Sequence, residues 1–262
     1  MDTISATSIL RAAGHALAES LFPRKSACVL CGRFWQGSKL TAGLCPQCLL
    51  EWKRLRERVQ ICPLCGSFDS GEPCRGPCRG AMGAWPYRIG SLAAIRAAAP
   101  YTGLYRQRVM AFKYNGQKQL AAPLAYLMAA AWGDGGFGAG KPYLVPVPMH
   151  SEKEITRGYN QSRLLAEALR RETGFPLAEL LRRPLAGRVQ ADLDGRQRLE
   201  ALDQVIRWAG FGGVKPGPAV IVDDVVTTGA TLETCAGILR QRGFKPIWGL
   251  TFAGGSGARA AR

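Results

Sequence analysis

At 262 residues the chain has room for one large domain or two modest ones, and its 47% hydrophobic content suits a globular protein with a sizeable core. Lys and Arg outnumber Asp and Glu 35 to 19, and the resulting charge of +16 favours polyanionic partners: nucleic acid, phosphorylated metabolites or an anionic membrane surface. No run reaches the roughly 18 apolar residues of a membrane-spanning helix, which excludes a helical span.

In chain order, Ile4, Ile9, Leu10, Leu17 and Leu21 predict an amphipathic helix, while Arg11, His15 and Glu19 break any signal-peptide core. The expectation is a cytoplasmic protein. Thiols stay reduced there, so the cysteines ask for metal or catalytic roles rather than disulfides. Composition changes near residue 85: all cysteines but Cys235 lie between Cys28 and Cys78, in a stretch too polar to build its own core. We therefore expect two units, 1–84 (a helix and a double zinc ribbon) and 85–262. In the second unit 101–112 is short and mixed, 118–132 is helical and 134–141 is a Gly-rich loop. Tyr143 to Val147 is an apolar strand stopped by Pro148, and 160–173 is a helix with Leu164, Leu165, Ala168 and Leu169 on one side. Ala219 to Val222 is a short buried strand, 231–242 a helix, 245–251 a further strand, and 254–262 a frayed tail. Strands alternating with helices at these lengths predict an α/β fold with a mostly parallel sheet flanked by helices.

Cys28-x2-Cys31 precedes Cys45-x2-Cys48, and Cys62-x2-Cys65 precedes Cys74-x3-Cys78. A Cys-x2-Cys turn sets two thiolates on one side of a tight loop, and two such turns supply the tetrahedral sulfur set of a structural zinc. Redox-active dithiols and an iron–sulfur cluster are the competing readings; two complete quartets at ribbon spacing favour zinc, about two ions per chain. Four thiolates leave no open position for a catalytic water, so the ions serve folding. Sequential and interleaved pairings are both open, sequential being simpler. The basic residues Arg24, Lys25, Lys39, Lys53, Arg54, Arg56, Arg58, Arg75 and Arg79 add weight to a nucleic-acid contact. Cys235, inside a predicted helix with no His or Asn partner nearby, reads as a small buried hydrophobe.

The most specific segment runs from Ala219 to Thr231: four apolar β-formers, then Asp223-Asp224, then Val225-Val226-Thr227-Thr228-Gly229-Ala230-Thr231. A parallel strand delivers its C-terminal end to the crevice where ligands bind. The hydroxyl-rich turn then opens a helix whose free N–H groups favour a phosphate, and Gly229 lets the backbone come close. Two carboxylates beside an anion site make sense if the ligand carries hydroxyls and develops positive charge. A ribose 5-phosphate does both: its 2′- and 3′-hydroxyls donate to Asp223 and Asp224, and breaking its C1 bond builds an oxocarbenium that they stabilise. This run resembles the phosphoribosyl pyrophosphate (PRPP) signature of type I phosphoribosyltransferases. The resemblance implies that fold, with Asp223 and Asp224 catalytic and PRPP held by them together with Thr227, Thr228, Gly229, Ala230 and Thr231.

In such a fold a second strand end must hold the pyrophosphate and its Mg²⁺. Val145-Pro146-Val147-Pro148-Met149-His150 ends an apolar strand; Lys153 and Arg157 follow as cations, with Gly158, Asn160 and Gln161 beyond them. Together with the cysteines these residues resemble the ComF/GntX family, a double zinc ribbon followed by a phosphoribosyltransferase-type domain. Arg108, Phe112-Lys113-Tyr114, Val145 to Pro148, Arg157 to Gln161, Gln190, Arg198 and Asp223 to Thr231 carry the likeness. It implies a role in DNA uptake during natural transformation, at the inner face of the membrane, where single-stranded DNA and DNA-uptake proteins are partners. Two functions remain: a Mg²⁺-dependent transfer of phosphoribose to a nucleophile, or an accessory protein that binds PRPP and single strands with little turnover. For the second, Trp35, Trp52, Trp85 and Tyr87 are candidates to stack on bases.

Overall fold

The computed structural model of the chain describes residues 26–35, 40–62, 64–68, 90–133, 140–183, 206–210 and 213–255. The predicted N-terminal helix, Arg24, Lys25, Lys39, Arg75, Arg79, Cys74, Cys78, Trp85, Tyr87, Gln190, Arg198 and residues 256–262 of the tail lie outside them, as does most of the Gly-rich loop; Gly254, expected in the frayed tail, instead ends the last strand. A small ribbon, β1 (Ser26–Ala27) and β2 (Phe34–Trp35), precedes helix α1 (Pro46–Arg58). The α/β part follows as β3 (Ala94–Pro100), α2 (Gly103–Tyr114), a 3-10 turn (Lys118–Leu120) leading into α3 (Ala121–Gly133), and β4 (Tyr143–Pro146). After these come α4 (Ser151–Arg157), α5 (Gln161–Thr173), the antiparallel pair β5 (Leu181–Arg182) and β6 (Arg207–Trp208), β7 (Ala219–Val226), α6 (Ala230–Gln241) and β8 (Ile247–Gly254).

The main sheet is parallel throughout, in the order β3-β8-β7-β4. Both its faces are covered, which explains why Ala219 to Val222 read as an unbroken apolar run. Successive side chains point to opposite faces. Val220 and Val222 join the core beneath α2, α3 and α5, with Phe112, Leu124, Met128, Leu165 and Phe252. Ala219 and Ile221 join the core beneath α6, with Leu232, Leu239, Phe244 and Ile247. The buried helix expected near 120–132 is α3, and Asn160 caps α5 by accepting from the N–H groups of Ser162 and Arg163.

Three elements differ from expectation. The mixed stretch near 101–112 is the helix α2, whose buried Val109, Ala111 and Phe112 do not form a regular stripe. Strand β7 continues four residues past Val222, because β8 pairs with Asp223, Val225 and Val226. Strand β3 gave no sequence signal, since Ala94, Ala97, Ala98 and Ala99 are poor β-formers. Its small residues suit the crowded edge that they form: the Leu64 carbonyl accepts from Ile95 N–H at 2.7 Å, Trp52 Nε1 donates to Ala98 O at 2.9 Å, and Arg56 reaches Ala97 O at 3.1 Å. The cysteine-bearing segment thus covers a sheet edge that would otherwise be open to pairing. Trp52, 3% exposed and tied to that edge, is no base-stacking platform, and Arg56 serves the same contact.

Gly66 tests this docking. Its φ is +66°, and a Cβ there would lie 2.9 Å from both Ala97 N and Ile95 O. Gly66→Ala should therefore cost roughly 2–4 kcal/mol in denaturant unfolding. Gly174→Ala, at φ +69° with nothing within 4 Å, should cost only the backbone strain, about 1–2 kcal/mol. Equal losses would mean that the segment is not packed on the edge.

Candidate functional site

The cysteine site builds from two turns. Cys28 and Cys31 flank the bend after β1; Cys45 caps α1 and Cys48 lies in its first turn. All their sulfurs lie within 4.8 Å of one another, with Cys28 to Cys48 at 3.8 Å and Cys31 to Cys45 at 4.0 Å. Four sulfurs at a zinc–sulfur distance of about 2.3 Å would be about 3.8 Å apart, so the set fits zinc. The N–H of Cys45 points at Cys28 Sγ at 3.3 Å, as thiolates require, and this quartet is sequential. Burial would raise the Cys28 thiol, but backbone N–H groups of Cys31, Cys45 and Leu30 outweigh it and lower it to about 7. Cys62 and Cys65 close a similar turn, with Gly66 N–H donating to Cys62 O; Cys74 and Cys78, expected to complete a second quartet, lie outside the described residues. Arg108 Nε donates to Leu30 O at 2.7 Å, so a family-like residue without a sequence-stated role fastens α2 to the first knuckle. Metal analysis should show that Cys28→Ser with Cys31→Ser lowers the zinc content by one ion per chain and lowers the unfolding temperature; an unchanged zinc content would refute this site.

The second site opens where β4 leaves the sheet. Its last registered pair is Pro146 with Val222, Val147 N–H still reaches Val222 O at 3.0 Å, and Pro148 has no N–H to continue. Beyond that point Asp223 and Asp224 of β7 border a cavity of about 240 Å³. Lys153 and Arg157 of α4, Gln161 and Ser162 at the start of α5, Arg183 after β5, and Thr231 also line it. Proximity therefore joins the acid pair to both predicted cations. Of the hydroxyl-rich turn, Thr231 reaches the cavity; Gly229 is the left-handed cap of α6 (φ +77°), Thr228 Oγ1 accepts from Ala230 N, and Thr227 is exposed.

Three sequence-distant segments interlock around this cavity. Tyr159 Oη donates to Phe112 O, the Lys118 ammonium lies 4.9 Å from the Tyr159 ring centroid, and the Arg157 guanidinium lies 5.1 Å from that of Tyr114. Asn160 Nδ2 donates to Val147 O, and Ser162 Oγ to Asp223 Oδ1 at 2.7 Å. Lys113 Nζ meets Asp224 Oδ1 at 2.8 Å. Burial works against the charge on Lys113, but Asp224 prevails and holds its pKa above the ordinary lysine value. The carboxyl of Asp223 is pushed up to about 7, first by burial and then by Asp224 beside it, despite the Ser162 hydroxyl. Gln161 Nε2 is buried and has no hydrogen-bond partner among the described residues, nor has Arg183 Nε. Donors left idle beside a cavity call for an acceptor-rich ligand.

Sequence reasoning assigned no role to Lys113, Ser162 or Arg183. Lys113 was visible within Phe112-Lys113-Tyr114, but nothing local reveals that its ammonium meets a strand end far along the chain.

A raised carboxyl pKa means that the fold holds the proton more tightly than the unfolded chain does. The stability from protonated Asp223 is full below its ordinary value of 3.8 and is lost as pH rises through about 7. Asp223→Asn lacks this loss. Its unfolding temperature relative to the unsubstituted protein should climb between pH 5 and pH 8; a flat difference would contradict the assignment.

Among the described residues no helix is long and apolar enough to cross a membrane. No family model matches the chain, and no solved structure matches it. It is similar to DNA utilization protein YhgH of Salmonella typhi, 30% identical over 207 residues that cover 77% of this chain and 86% of the relative. It is also similar to competence protein ComFC of Bacillus subtilis, at 28% over 76% and 79% of the two chains. Competence protein F of Haemophilus influenzae is 34% identical over 114 residues, 42% of this chain and 50% of the relative.

Proposed function

The chain belongs to the ComF family, and from that premise we propose that it is a PRPP-binding protein of phosphoribosyltransferase type that supports the uptake or use of incoming DNA. The observation that carries this reading is the cavity in which two carboxylates face Lys153, Arg157 and the idle amide of Gln161 at the ends of two adjacent parallel strands. A bare phosphate would be repelled by the acid pair. A phosphorylated sugar satisfies both halves, because its hydroxyls donate to Asp223 and Asp224 while its anionic groups meet the cations and N–H donors.

In this reading the turn from Thr227 to Thr231 holds the 5′-phosphate. Lys153 and Arg157 neutralise the pyrophosphate as it departs, and the acid pair stabilises positive charge at C1. Mg²⁺, when bound, supplies further charge neutralisation on the pyrophosphate. The second reading, a PRPP-binding accessory protein that contacts single-stranded DNA, draws on the charge of +16 and on relatives named for competence and DNA utilization. Partners at the inner face of the membrane and a cytoplasmic location belong to the proposal in either form.

Calorimetry with PRPP and Mg²⁺ should give a binding isotherm that Asp223→Asn with Asp224→Asn abolishes; no heat from the unsubstituted protein sinks the proposal. Pyrophosphate release in the presence of candidate acceptors then separates the readings. Turnover identifies a transferase, whereas binding without turnover, alongside salt-sensitive retention of a single-stranded oligonucleotide, identifies the accessory protein.

A further inference from the structure

We propose that Lys113 is the resident counter-ion of the Asp223–Asp224 pair and keeps divalent cations off it. Adjacent carboxylates on a cavity wall ordinarily attract a hard divalent cation, which takes oxygen ligands. Here the cation is built in. Side-chain alternation sends Asp224 to the face of β7 covered by α2, and there Lys113 Nζ sits 2.8 Å from its Oδ1. Asp224 is 6% exposed, so little water competes with that contact.

The remaining donors reinforce the arrangement. Asp223 Oδ1 already accepts from Ser162 Oγ at 2.7 Å and from the N–H of Asp224 at 2.9 Å. One oxygen of each carboxylate is therefore already committed to a donor, and a metal ion approaching either would meet the charge of the Lys113 ammonium. Nor does a third His, Cys, Asp or Glu side chain join the pair: among the described residues, the grouping of such side chains close enough to hold an ion is the Cys28–Cys48 quartet. The backbone that carries the ammonium is held in place, because Lys113 lies in the last turn of α2 and the neighbouring Phe112 carbonyl accepts from Tyr159 Oη. Lys113, Lys153 and Arg157 line both this cavity and a neighbouring one of about 600 Å³, so an ion nearing the pair meets several positive charges.

This inference stands without PRPP. Mn²⁺, followed by electron paramagnetic resonance of the free ion, tests it on the zinc-loaded full chain. The unsubstituted protein should show no Mn²⁺ binding that depends on Asp224. Lys113→Gln should gain a site at least roughly tenfold tighter, since a unit charge has gone from contact range, and adding Asp224→Asn should remove it. Lys113→Arg, which keeps the charge, should stay closed to Mn²⁺. Asp224-dependent Mn²⁺ binding to the unsubstituted protein, or no gain in a folded Lys113→Gln, overturns the proposal. If Lys113→Gln does not fold, the unsubstituted protein and Lys113→Arg still decide.

Discussion

Strand β7 is hydrogen-bonded on both edges as far as Val222 and on one edge after it. That asymmetry organises the molecule. While both edges and both faces are filled, the strand must be apolar, and Ala219 to Val222 are fully buried. Once Pro146 and Pro148 take β4 out of the sheet, the same strand, still held by β8, carries Asp223 and Asp224 along a gap. A carboxylate pair could not sit in the paired region without losing its water and gaining nothing in return. In the gap, Ser162, Lys113 and the cavity replace that water.

The helices around the gap are fixed to one another rather than merely placed nearby. The end of α2 is bound to the turn between α4 and α5 through Tyr159 and Phe112, and the start of α5 is bound to the end of β4 through Asn160. Cations and carboxylates therefore face each other across a cavity with preset walls, which favours rapid discrimination between ligands that fit both charges and those that fit one. The carboxyl of Asp223 is raised by burial and by the second acid beside it, and the ammonium of Lys113 is raised by Asp224, so both shifts trace to two acids packed side by side.

The cysteine segment contributes at a distance from this chemistry. Its first quartet shares a core with α2 and α3, and its second turn lies along β3. A metal that orders the first knuckles would also order the edge of the main sheet, because the described residues of this segment pack against it. Trp52 shows the point: an aromatic residue in a basic helix reads as a binding platform until its indole N–H is seen to be spent on Ala98 O.

By itself, the sequence determined what depends on neighbours along the chain. Cys-x2-Cys turns, an apolar run ending in two aspartates, an Asn before a helical stripe and a glycine at a helix start are local statements, and the quartet of Cys28 to Cys48, the strand β7, the cap of α5 and the start of α6 all follow from them. The tertiary structure decided what depends on segments far apart. Whether alanines form a strand rests on the edge that covers them, so β3 was silent in the sequence. Which cation answers Asp224 rests on the packing of α2 against β7, so the sequence displays Lys113 within Phe112-Lys113-Tyr114 without showing what it meets. Backbone propensity and side-chain spacing are short-ranged, whereas charge pairing and edge coverage act only once the chain has closed on itself.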